Sequence, residues 1–132
     1  MEPSVGRAVL IVLLVAACGG TADKAASAVA RTAAAGDPRA AIFVQKGCPQ
    51  CHSISALGVT SPAEVGPDLT GAYEEVRTRF GVKLEDFLAA PTGTMQIVLS
   101  SMIQLNPAER DSIIGILKQL HEQREERKEQ AS

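Results

Sequence analysis

Two cysteines three positions apart, Cys48 and Cys51, are followed directly by His52 in the stretch QKGCPQCHSI, residues 45–54. Three chemistries use such a cluster. Thiolates and an imidazole bind zinc. A Cys-x-x-Cys pair exchanges two electrons as dithiol and disulfide. A Cys-x-x-Cys-His run holds a haem covalently.

The rest of the chain weighs on the choice. A structural zinc site needs four ligands, but no second cysteine pair exists, and the only other histidine is His121. His52 also adjoins Cys51, which is awkward for joint chelation. A redox-active pair sits at the start of a helix in a βαβ setting, and no segment shows the period-two alternation of a strand. Both readings are disfavoured, and covalent haem is the expectation. Two thiols at this spacing each add to a vinyl group on one porphyrin edge. The following imidazole then projects over the ring onto the iron. Aromatic residues make up only 3% of the chain and Trp is absent, so a protein core is thin unless a large flat ring fills it.

The elements that must position this cluster read as helices. Asp37 is a good cap and Pro38 suits a first helical position; Ala41, Ile42 and Phe43 then supply apolar contacts, and Gly47 ends or distorts the helix before Cys48. The Gly- and Pro-rich stretch 58–72 reads as a loop. Short helices are expected at about 72–80 and about 83–90, the second stopping before Pro91. The clearest helix starts at Asn106, with Pro107 at the first position and Glu109 three residues after the cap. Ile113, Ile116, Leu117 and Leu120 repeat there at helical spacing. Beyond them, 122–132 is a charged extension that reads as a solvated helix that frays. The fold class is all-α, with one domain at 37–121.

The amino terminus has a different character. An apolar run of ten residues, AVLIVLLVAA, follows Arg7. It is shorter than the roughly 20 residues a membrane span needs and suits the core of a secretory signal. The run ends in VAACGG, which resembles the lipobox of bacterial lipoprotein signals. That resemblance implies cleavage of 1–17, a lipid on Cys18, and export to the periplasm or the outer face of the cell membrane. An ordinary signal with a small-residue cleavage site is the alternative. With Cys18 lipidated and Cys48 and Cys51 on haem, no thiol is left over. Residues 18–36 are small and polar and read as a flexible tether, about 25 Å long as a coil. Loss of 1–17 removes one acid, Glu2, and one base, Arg7, so the net charge stays at −2. No basic stripe is present to neutralise phosphates, so no nucleic-acid partner is expected.

Across about 38–121 the chain resembles the small class I c-type cytochromes. IFVQKGCPQCHSI is similar to their first helix and haem-binding segment, GPDL (66–69) to their loop on the proximal side of the haem, and PAERDSIIGILKQL to their terminal helix. The resemblance implies three to five helices wrapped around one haem c bonded to Cys48 and Cys51, with His52 on the iron. It also implies that the Pro67 carbonyl accepts from His52 Nδ1–H and that Leu69 packs on the ring. The family usually places a methionine on the other face. Met95 is the candidate because it lies on expected irregular backbone, which aims a thioether freely. Met102 is the alternative, sharing a helical face with Val98, where a methionine more often fills core. Gln96 stands where the family often has proline. His121 is expected to face solvent, and Tyr73, Arg77 and Arg79 are either propionate partners or exposed helix residues.

Histidine and methionine together leave iron no open position, which favours electron transfer over catalysis. The expected function is that of a high-potential one-electron carrier rather than an enzyme, shuttling between redox protein partners at a membrane surface. The alternative is a haem enzyme subunit, peroxidase or sensor with an open iron. The run 87–108 carries no charge. It is expected either to present a smooth docking surface or simply to pack the haem.

Overall fold

The computed structural model describes residues 36–132. The expected signal 1–17, Cys18 and all but the last residue of the tether lie outside that range.

Asp37 caps the first turn as expected, its carboxylate accepting from the Arg39 backbone N–H at 2.9 Å. A 3-10 turn, Pro38–Ala40, leads into α1 (Ala41–Gln45). Gly47, at φ 76°, supplies the left-handed step that stops α1. Three further 3-10 turns follow at Cys48–Gln50, Ser55–Leu57 and Leu69–Gly71. The last opens α2 (Ala72–Phe80), which Gly81 closes at φ 70°, its N–H donating to the Arg77 carbonyl at 3.0 Å. Next come α3 (Leu84–Ala89) and α4 (Thr94–Ile97), which runs into a π turn, Val98–Met102. The chain ends in α5 (Pro107–Gln130). Among the described residues there is no strand, only an isolated antiparallel bridge between Ile54 and Val59. The described domain is all-α.

Helix α5 organises the packing. It lies against α1, α2, α3 and the Leu69–Gly71 turn. Its buried face is Ile113, Ile114, Leu117 and Leu120; Ile116, expected on that face, is half-buried beside it. Phe43 and Ala40 from the amino-terminal segment are fully buried, as is Ile54, and Leu57, Val59, Ala72, Val76, Leu84 and Phe87 complete the core. Ala41, expected among the apolar contacts, is exposed: Ala40 and Phe43, three apart, take the inner face of the turn instead. The start of α5 is fixed by a reciprocal cap. Asn106 Oδ1 accepts from Glu109 N–H at 2.9 Å, and Glu109 Oε2 accepts from Asn106 N–H at 3.0 Å.

Candidate functional site

The chain coils tightly through the Cys-x-x-Cys-His run. With Gly47 in the left-handed region, Cys51 N–H and His52 N–H both donate to the Cys48 carbonyl, at 3.2 and 3.0 Å. Pro49 is buried beneath this turn. The half-buried Cys48 packs against the hydrophobic core while Cys51 is exposed, and both thiols are free. Burial pushes the Cys48 thiol up to about 11, so it is neutral at pH 7.

His52 is half-buried, and its Nδ1 lies 2.7 Å from the Pro67 carbonyl oxygen. A carbonyl oxygen only accepts, so this contact requires the proton on Nδ1, and in the neutral ring the lone pair is then on Nε2. The segment that carries Pro67 is zipped to the histidine segment on both sides. Gly66 N–H donates to the Cys51 carbonyl and Leu69 N–H to the Ser53 carbonyl, each at 2.8 Å. Gly66 lies so close to the imidazole that a Cβ there would overlap Cε1 and Nδ1. Glycine is needed at this position for close approach. Leu69 is half-buried against the core.

The preceding loop folds on its own hydroxyls. Ser61 is 2% exposed; its N–H donates to Ser53 Oγ at 2.9 Å, and its Oγ accepts from the N–H groups of Ala63 and Glu64. Glu64 sits at φ 49°. The segment just before Cys48 is anchored too, by a 2.7 Å ion pair between Lys46 and Glu109. Glu109 thereby serves both the cap of α5 and the approach to the cysteines.

The methionines differ from expectation. Met95 lies in the first turn of α4, not on irregular backbone; Gly93, at φ 63°, accepts from Gln96 N–H at 3.1 Å and closes that turn. Its side chain is half-buried against the core. Met102, expected as core filler, is 71% exposed. The reason is the π turn: Ile103 N–H donates to the Val98 carbonyl at 2.8 Å, an i to i+5 bond. The wider turn rotates Met102 off the face of Val98.

His121 also departs from expectation. It is half-buried rather than solvent-facing, its ring centroid 5.3 Å from that of Tyr73. Helix α5 packs against α2 and the Leu69–Gly71 turn, and the Tyr73 ring of α2 covers part of the histidine. Tyr73 is engaged there, Arg77 pairs with Glu74 on the surface at 3.0 Å, and Arg79 is exposed. A hollow of about 320 Å³ lies between α3, the π turn and the start of α5, lined by Leu88, Pro91, Gln96, Leu99, Leu105 and Arg110. The cysteines and His52 take no part in it.

The structure therefore brings Cys48, Cys51, His52, Pro67 and Leu69 together. Gly66 and Asp68 lay within the Gly-Pro-Asp-Leu run but were assigned no role of their own from the sequence, and the Lys46–Glu109 pair was not foreseen. The signal for Gly66 was present, as a glycine directly before the proline whose carbonyl must reach an imidazole. The others depend on chain segments meeting from a distance. Comparison with protein-family models, with curated proteins and with solved structures finds no match.

Proposed function

We propose that the chain is a mono-haem c-type cytochrome that carries single electrons between redox protein partners. The observation that supports this most is the 2.7 Å bond from His52 Nδ1–H to the Pro67 carbonyl. In the neutral ring it puts the lone pair on Nε2, on the histidine that ends a Cys-x-x-Cys-His run. A ligating histidine is held in this way in metal sites generally. The two uncrosslinked cysteines fit the same group: Cys48 stands at the core and Cys51 at the surface.

In this reading Cys48 and Cys51 would hold haem c as thioethers, and His52 and Met95 would ligate its iron. Met95 is preferred to Met102 because its side chain already faces the core. The haem when bound supplies a one-electron ferric and ferrous couple. The protein's part is positional. Pro67 keeps the proton at Nδ1, Gly66 leaves room for the imidazole, and Leu69 lends an apolar contact. A thioether ligand and burial both favour the ferrous state, giving a high potential. Cys18 would carry lipid, and 18–36 would tether the domain to the outer face of a membrane.

The test is a reduced-minus-oxidised spectrum of membranes from cells that attach haem c, for wild type and for Met95→Ala. Wild type should show a low-spin c-type spectrum with the far-red sulfur-to-iron band in the ferric form. Met95→Ala should keep the covalent haem and lose that band. A wild-type chain without covalent porphyrin overturns the proposal, and a high-spin wild type redirects it to an open-iron enzyme or sensor.

A further inference from the structure

The Pro67 ring fixes φ but leaves ψ, and with it the direction of the carbonyl, free, and Pro67 has no N–H to tie its segment down. The carbonyl's aim must come from the neighbours. On one side stands the Gly66 bond to Cys51. On the other is Asp68, whose carboxylate ties together two segments far apart in sequence. Asp68 Oδ1 accepts from Thr70 N–H at 2.8 Å and from Ser55 N–H at 3.2 Å, and Oδ2 lies 3.3 Å from the same Ser55 nitrogen. Thr70 Oγ1 extends the brace, accepting from Ala56 N–H at 3.1 Å and lying 3.2 Å from Ser55 Oγ. Ser55 follows His52 by three residues, and Asp68 follows Pro67 directly. The two partners of the His52–Pro67 bond are thus clamped to each other through one side chain. Burial pushes the Asp68 carboxyl up, but the bonds from Ser55 and Thr70 outweigh it and hold the group below the usual carboxylate range.

We propose that Asp68 is a positioning residue that aims the Pro67 carbonyl at His52 Nδ1 and so sets how strongly Nε2 donates to iron. The inference rests on His52 being the iron ligand. It goes further in assigning the control of that ligand to a carboxylate that touches neither the imidazole nor the haem. Without the brace the carbonyl turns away, Nε2 becomes less basic, and the ferric state loses support.

Three variants of the holoprotein separate aim from charge. Asp68→Ala removes the acceptors. Asp68→Asn keeps one oxygen for Ser55 and Thr70 and removes only the charge. Thr70→Val removes the outer hydroxyl at nearly constant shape, and it decides the matter should Asp68→Ala fail to fold. The readouts are hydrogen exchange of His52 Nδ1–H by NMR in the reduced protein, and the reduction potential. Exchange should quicken by about tenfold or more in Asp68→Ala, the range by which loss of an outer partner weakens a metal site. Thr70→Val should give a smaller increase, and Asp68→Asn should stay near wild type. The potential should rise in the same order as the exchange rates. Unchanged exchange in Asp68→Ala and Thr70→Val overturns the role, as does an Asp68→Asn variant as fast as Asp68→Ala. A wild-type chain lacking the haem mass overturns the underlying reading instead, and is seen before any variant is compared.

Discussion

At the scale of single residues, the site is a matter of approach distances. Gly66 is present because the His52 ring occupies the space a Cβ would take. Gly66→Ala must therefore shift either the loop or the imidazole. Overpacking of this kind costs about 1–3 kcal/mol, so the thermal midpoint should fall and the His52–Pro67 bond should lengthen. Thermal unfolding together with the chemical shift of His52 Nδ1–H measures both. An unchanged midpoint and shift would show that the contact is slack. The cysteines and the histidine were legible in the sequence because their spacing is local, and the Gly-Pro-Asp-Leu run through its resemblance to a family loop. The surroundings of Met95 and Met102 were not. Whether a thioether faces core or solvent depends on one extra residue in a turn, and a π bond leaves no mark in an apolar pattern.

At the scale of elements, α5 is the part most fully specified by its own sequence. Asn106, Pro107 and Glu109 write its start, and the repeat of apolar residues writes its inner face. Asn106→Ala should cost about 1 kcal/mol through loss of the side-chain cap, read as a lowered denaturation midpoint. Glu109→Gln keeps a capping side chain but breaks the pair with Lys46. Its effect should exceed that of Lys128→Gln, whose pair with Glu125 lies on an exposed helix face. Equal losses in the two variants would show that the Lys46 pair does nothing to hold the approach to Cys48. Phe43→Ala, at a fully buried position in α1, should cost about 3–5 kcal/mol. Helices α2 and α3 lie within a residue of the bounds expected from their stops. A helical face through Val98 and Met102 was expected, but not the helix at Thr94–Ile97 or its π continuation, because the flanking Gly and Pro mask a short helix whose hydrogen bonds are satisfied locally.

At the scale of the whole molecule, several carboxylates make the fold sensitive to acid. The Arg39 side chain lowers Asp37 to about 2 from its ordinary 3.8. Asp68 is held below its ordinary value by Ser55 and Thr70, against burial, and Glu109 by Lys46. In each case the unfolded chain binds protons more readily than the folded one. Stability is then fully present above about pH 4.5 and is lost as the pH falls toward about 2. Urea midpoints across that range should decline steadily, and a flat profile would contradict the bonds described. The lipid expectation belongs to this scale too: Cys18→Ser should move the protein from membranes to the soluble fraction, as fractionation with lipid labelling would read.

The sequence alone determined what depends on neighbours along the chain. This includes the helical class, the caps, the bounds of the middle helices and the clustering of two thiols with an imidazole. Local propensity and spacing act within a turn or two, so a linear pattern suffices for them. Only the tertiary structure decided that Gly66 must be bare and that Asp68 braces the Pro67–His52 bond which the family resemblance implied. These depend on segments separated by ten or more residues settling at hydrogen-bond distance. That is fixed by how α5 gathers the other elements and not by any residue's own preference.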